Sequence, residues 1–142
     1  MSLAILRKIV LHFPMKSNGK EDETMTPTVL LYNLDSEKGR KIKALCLTLK
    51  LRARSVAPED FGRTLNRVLG LDTAQESVQE AQSFSDELMV MAGLSSRQMN
   101  DLLQGFRRKK IPSVDLKAVL TATNGSWNAF QLREELARER QA

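Results

Sequence analysis

The run Thr28-Val-Leu-Leu-Tyr-Asn33 has the length of a β-strand and is apolar at nearly every position. A second run of the same kind, Leu88-Met-Val-Met-Ala92, lies in the second half of the chain. A strand that is apolar on both faces is typical of the middle of a sheet that is covered on both sides. These two runs therefore predict the central strands of a sheet with helices on both faces.

Strand and helix signals alternate around these two runs. Asp35-Ser36-Glu37 is typical of a helix start, and the apolar residues that follow it recur at helical spacing. The second helix is predicted to end at Gly70, and the polar segment 72–85 is predicted to be an exposed connection. The predicted strands are Thr28–Asn33, Leu51–Ala57, Leu88–Ala92 and Ile111–Thr121, and the predicted helices begin at Asp35, Pro58, Ser95 and Trp127.

Four strands that alternate with four helices predict an α/β fold of three layers with a mainly parallel sheet. Leu51–Ala57 carries Arg52 and Arg54 on one face, and the fourth strand alternates in polarity, so both suit the edges of the sheet. Right-handed wiring then predicts the strand order 2-1-3-4, a truncated flavodoxin-like arrangement.

Length and composition limit the remaining possibilities. The chain has 142 residues and a net charge of +5, which fits one compact domain. Residues 1–24 are predicted to be a flexible extension, and residues 25–142 a single α/β domain, because a polar linker precedes the first strand signal. No apolar run approaches the roughly 20 residues needed to cross a bilayer, so no membrane association is expected.

The single Cys46 and the single His12 argue against a disulfide framework and against a Cys/His metal site. We expect no metal and no cofactor, because neither a Walker loop nor a GxGxxG motif follows the first strand. Cys46 lies in the apolar stripe of the first helix, which predicts a core residue. A lone cysteine is also typical of a reducing compartment, and the expected location is cytoplasmic.

The candidate ligand site is the C-terminal rim, by which we mean the loops that follow the third and fourth strands. Ligands of parallel sheets bind beyond the carboxyl ends of the strands, and a helix start presents unpaired N–H groups to an anion. The predicted ligand-binding residues are Ser95, Ser96, Lys117, Thr121, Thr123, Asn124 and Ser126. The alternative is that these hydroxyl and amide groups cap helices or bond locally, and that Lys117 forms a surface ion pair.

The stretch Leu116-Lys-Ala-Val-Leu-Thr-Ala-Thr-Asn-Gly-Ser-Trp127, followed by Leu132-Arg-Glu-Glu-Leu136, carries a resemblance to a known family. It resembles a family of short bacterial proteins, mostly from Firmicutes, described as a domain of unknown function (DUF3783-like). The resemblance covers roughly Asp86–Arg140, with Thr28–Ala57 as the accompanying N-terminal region. It implies a bacterial cytoplasmic protein and brings no activity with it.

These observations predict a non-catalytic binding or regulatory module that recognises a small anion or a partner protein at the C-terminal rim. The alternative is a nucleic-acid-binding protein that uses the basic face of the first helix, namely Lys38, Arg40, Lys41 and Lys43. Nucleic acid is not the favoured partner, because no aromatic residues interleave with these charges. A small enzyme is the least favoured class, because no nucleophile–base pair is visible. The oligomeric state is not predicted.

Overall fold

The computed structural model describes residues 26–71 and 84–141. The predicted extension 1–24 and most of the predicted connection 72–85 lie outside the described residues. The described strands and helices are β1 (Thr28–Tyr32), α1 (Glu37–Thr48), β2 (Arg52–Ser55), α2 (Leu65–Val68), β3 (Leu88–Ala92), α3 (Ser96–Arg108), β4 (Leu116–Val119) and α4 (Ala129–Gln141). Two 3₁₀ turns, Pro58–Asp60 and Asn124–Ser126, precede α2 and α4.

The four strands form one sheet in the order β2-β1-β3-β4, which confirms the predicted strand order. β1 pairs with β2, and β3 with β4, in parallel. The two central strands β1 and β3 are antiparallel. The sheet is therefore mixed, and the prediction of a mainly parallel, truncated flavodoxin-like sheet is wrong.

The antiparallel pairing shows that the chain is built from two similar units. Thr28 lies opposite Ala92, Leu30 opposite Val90, and Tyr32 opposite Leu88. If 60 (88 − 28) is added to the number of each β1 residue and subtracted from that of its β3 partner, the same set of pairs is obtained. Each unit is a parallel β-α-β segment followed by a 3₁₀ turn and a helix. The units are thus related by a pseudo-twofold axis between Leu30 and Val90.

Backbone geometry at the turns repeats with the same offset. Asn33 and Gly93 follow the central strands with φ of 60° and 78°, and Lys50 and Lys110 follow the first helices with φ of 62° and 57°. These positive values bend the chain sharply after the strand and after the helix. Recurrence of the same turns supports the division into two equivalent units.

The core has two layers, one on each face of the sheet. Val29 and Leu31 of β1 point to the face covered by α1 and α3. Leu30 and Tyr32 point to the opposite face, which is covered by α2 and α4. Helices on both faces and a three-layer architecture are therefore confirmed. Within residues 26–71 and 84–141, no helix is long and apolar enough to cross a membrane.

Three element boundaries differ from the predictions. The second helix is a single turn of 4 residues, and a 3₁₀ turn stands where its start was predicted at Pro58. β4 begins at Leu116 instead of Ile111. The last helix begins at Ala129 instead of Trp127, because Asn128 caps it by accepting a hydrogen bond from the Gln131 amide at 2.9 Å.

Cys46 is fully buried in the α1–α3 layer, which confirms its prediction as a core residue. Burial raises the pKa of its thiol from 9.0 to about 11. An unfolded chain loses this proton near pH 9.0, whereas the folded chain keeps it to about pH 11. Above pH 9.0 the unfolded state therefore binds fewer protons, and folding stability falls as the pH rises.

We expect this ionisation to lower the free energy of unfolding by about 2 kcal/mol across that pH interval. Urea denaturation of the wild type and of Cys46→Ala at several pH values measures it. The variant is less stable at every pH because a cavity replaces the thiol, but it should lack the extra loss at high pH. Parallel pH profiles for the two proteins would contradict the assignment.

Candidate anion-binding site

The two units differ most in the helix that packs on the edge strand, which is β2 in the first unit and β4 in the second. α4 has 13 residues and packs Leu132 and Leu136 against β4. Its counterpart α2 has only 4 residues. One helical turn spans about 6 Å, against about 20 Å for 13 residues, so α2 covers much less of the sheet than α4. Within residues 26–71 and 84–141, the face of β2 on the α2 side is therefore covered by less helix than the same face of β4.

The side chains on this face of β2 are arginines. Thr28 pairs with Arg52 in β2, and its equivalent Leu88 pairs with Leu116 in β4, so Arg52 occupies the position that Leu116 holds in the second unit. By the same register Arg54 corresponds to Ala118. Leu116 and Ala118 are completely buried, whereas both arginines are exposed. Cationic side chains thus replace core residues where the covering helix is short.

Two adjoining cavities lie between β2 and α2, and we call them together the arginine cleft. The first, of about 280 Å³, is lined by Arg54, Asp60, Arg63, Arg67 and Val68. The second, of about 240 Å³, is lined by Thr28, Arg52, Arg54, Arg67, Val68, Leu69 and Gly70. Arg54, Arg67 and Val68 line both cavities, so the two adjoin at these residues.

Among the described residues, four arginines and one aspartate line the cleft, so this part of the lining carries more positive than negative charge. Asp60 accepts a hydrogen bond from Nε of Arg63 at 3.0 Å. Nη1 of Arg54 donates to the Val68 carbonyl at 2.6 Å, at the end of α2, and this bond fixes the plane of the guanidinium. A planar guanidinium with several N–H donors matches the oxygens of phosphate or carboxylate groups.

A buried hydroxyl lies on β1, the strand next to β2. Tyr32 is fully buried, and its ring centroid lies 5.3 Å from that of Phe61. Burial raises the pKa of Tyr32, the charge of Arg54 lowers it and that of Asp60 raises it. Among the residues that the structure describes, no hydrogen-bond partner of Tyr32 Oη is found. Burial thus keeps the Tyr32 hydroxyl protonated.

The loop residues of the C-terminal rim do lie at one edge of the sheet, because β3 and β4 are parallel. The Ser95 side chain accepts from the Gln98 amide at 3.1 Å and caps α3. Buried Asn124 donates from Nδ2 to the Val119 carbonyl at 3.0 Å and accepts from the Thr121 amide at 2.8 Å. The Thr121 hydroxyl accepts in turn from the Asn124 amide at 3.1 Å.

The rim residues Ser96, Thr123 and Ser126 are exposed, and the Ser126 hydroxyl donates to the Thr123 carbonyl at 3.4 Å. Gly125 is buried against Asn66, since a Cβ at Gly125 would lie 2.6 Å from the Asn66 amide oxygen. Most of the polar groups in this loop thus bond to the loop itself. Anion binding at the rim stays a prediction.

The structure does not bring Lys117 together with the loop residues of the rim. Its ammonium donates to the Ser113 hydroxyl at 3.1 Å, and Ser113 precedes β4, at the opposite end of that strand. Partial burial lowers the pKa of Lys117. The Lys117 ammonium therefore lies near the amino end of β4, away from the loop residues of the rim.

The predicted basic face of α1 is partly engaged in ion pairs. Lys38 contacts Glu87 at 2.6 Å and donates to the Ser113 carbonyl at 3.1 Å, which ties the first unit to the second. Arg40 pairs with Glu37 at 3.3 Å, and both are largely exposed. Lys41 and Lys43 are exposed as well. Nucleic-acid binding by these four residues stays a prediction.

Sequence reasoning did not assign the arginine cleft. The sequence places Arg52 and Arg54 on one face of an edge strand, which is the available signal. The sequence does not predict that Arg63 and Arg67 lie beside these two arginines, because it predicts a full helix after Pro58 and not a turn followed by a short helix. The length of the covering helix decides how much of that face is covered.

Residues 87–142 match the model of a family described as Domain of unknown function (DUF3783). This match confirms the resemblance carried by the Leu116–Trp127 stretch, and it spans β3 to α4, which is the second of the two units. Comparison with curated proteins and with solved structures gave no match. The arginine cleft belongs to the first unit and lies outside the matched residues.

Proposed function

We propose that the protein is a non-catalytic module that binds a small anion in the arginine cleft. The observation that carries the proposal is the exchange of buried Leu116 and Ala118 in one unit for exposed Arg52 and Arg54 in the other. Two further arginines converge on the same place from the segment around α2. Like charges that gather at one site repel each other, and a bound anion relieves this repulsion.

The lining of the cleft supports binding and not catalysis. Its polar side chains are arginines, Thr28 and Asp60, and the Asp60 carboxylate is paired with Arg63. Within the part of the chain that the structure describes, no cysteine or histidine lines either cavity. A nucleophile with an adjacent base, which covalent catalysis requires, is therefore not part of this lining.

Titration of the protein with inorganic phosphate by isothermal calorimetry tests the proposal. We expect saturable binding, and we expect Arg67→Ala to weaken it about tenfold because Arg67 lines both cavities. Lys43→Ala is the matched control, since it removes one exposed cation from α1 and should change the affinity less than about twofold. Circular dichroism melting of both variants checks that they are folded.

Absence of binding to the wild type would refute the proposal. An equal loss in both variants would show that the protein responds only to its overall charge.

A polyanion is the second candidate ligand, favoured by exposed Lys41 and Lys43 on α1. A nucleic acid bound in this way should dissociate steeply with salt. The described residues that line the cleft include no aromatic ring on which a base could stack, which favours the small anion. Failure of a single-stranded oligonucleotide to bind at about 50 mM salt would exclude the polyanion.

A further inference from the structure

The geometry points to a ligand with two linked phosphate groups, a diphosphate, as the anion that fills the arginine cleft. This inference rests on the proposed function and deepens it. The cleft consists of two cavities of similar size, about 280 and 240 Å³, in place of one. A ligand that uses both must carry an anionic group in each.

The arginines are distributed as such a ligand requires. Arg63 lines only the first cavity and Arg52 only the second. Arg54 and Arg67 line both compartments. A single phosphate would occupy one compartment and leave the outer arginine of the other unused. Two linked phosphates would contact one outer arginine each and share Arg54 and Arg67.

The second cavity is the one whose lining better suits an organic substituent, although it is slightly the smaller. Val68, Leu69 and Gly70 line it beside Arg52, and this is the more apolar side of the cleft. The first cavity is lined, apart from Val68, by charged side chains. A diphosphate ester would therefore place its terminal phosphate near Arg63 and its ester group near Leu69.

The test compares pyrophosphate with inorganic phosphate on the full chain by isothermal calorimetry. We expect pyrophosphate to bind at least about tenfold more tightly than phosphate. Arg52→Ala should weaken both ligands, pyrophosphate at least about threefold more than phosphate, and so bring the two within about threefold of each other. Arg52 is exposed, so the substitution should leave the melting temperature nearly unchanged.

Two outcomes would refute the diphosphate inference, and a third would refute the proposed function. Equal affinities of pyrophosphate and phosphate for the wild type would refute the diphosphate inference and leave the anion site standing. An equal loss of both ligands in Arg52→Ala would show a single phosphate position and would also refute it. Binding of neither ligand to the wild type would refute the proposed function itself.

Discussion

Replacing Gly39 with alanine is expected to destabilise the protein more than the same substitution at any other described glycine. A Cβ at Gly39 would lie 1.7 Å from the carbonyl oxygen of Leu34, which belongs to the turn between β1 and α1. Both atoms are fixed by the backbone, so the clash can be relieved only if α1 moves away from the sheet. The first turn of α1 would then lose its contact with Ser36, whose hydroxyl accepts from the Gly39 amide at 3.3 Å.

We expect Gly39→Ala to lower the free energy of unfolding by more than about 3 kcal/mol, which is a large part of the stability of a domain this size. Thermal melting followed by circular dichroism measures the effect. Gly70→Ala is the matched control, since φ is 78° there but no atom lies within 4 Å of the added Cβ. Backbone strain alone should cost it about 1 kcal/mol. Similar melting temperatures for the two variants would contradict the close approach at Gly39.

The second large effect is expected for Asn124→Ala. The amide of Asn124 is buried and satisfies the Val119 carbonyl and the Thr121 amide, and both of these groups would be left without that partner. An unsatisfied buried polar group costs about 1–3 kcal/mol, so we expect a loss of about 3 kcal/mol in all. Thr123→Ala, in the same loop but exposed, should change the stability by less than about 0.5 kcal/mol.

Asn124→Ala also separates two roles for the loop that follows β4. If the loop is structural, the variant melts at a lower temperature and binds phosphate with unchanged affinity below its melting temperature. If the variant keeps its stability but loses phosphate binding, the ligand lies at the rim, and the arginine cleft is not the site.

The sequence was a good guide to the order of the strands and a poor guide to their direction. The apolar runs at Thr28–Tyr32 and Leu88–Ala92 identify central strands because a strand buried on both faces has few polar residues. The same pattern is produced whether two such neighbours run parallel or antiparallel. Right-handed wiring predicted each parallel pair correctly, since each is closed by one helix within a unit. It does not apply to the junction between the units.

The internal repeat is difficult to find from the sequence, because the two units differ in most residues. The central strand and the turns after the strand and the helix recur with an offset of 60 residues, whereas the second strand recurs with an offset of 64 (116 − 52). This regularity rests on backbone geometry at Asn33 and Gly93, which are different residue types with the same sign of φ. Residue identity therefore conceals a repeat that the pairing register makes plain.

The candidate site depended on a quantity that hydrophobic patterns define poorly, the length of α2. Phe61, Leu65 and Val68 lie at helical spacing and are all buried, as expected for a continuous helix. In the structure Phe61 instead follows a 3₁₀ turn, and α2 comprises only Leu65–Val68. Because the helix is short, Arg63 and Arg67 stand beside the arginines of β2 and not on the far side of a long helix.

The most direct test of the arginine cleft is a titration of the isotope-labelled protein with inorganic phosphate, followed by backbone and arginine side-chain NMR. The account predicts saturable shifts confined to residues that line the cleft, with Arg54, Arg67 and Gly70 among the largest, and Ser96 and Thr123 unmoved. Saturable shifts at Ser96 and Thr123, with the signals of Arg54 and Arg67 unchanged, would place the anion at the C-terminal rim and contradict the account.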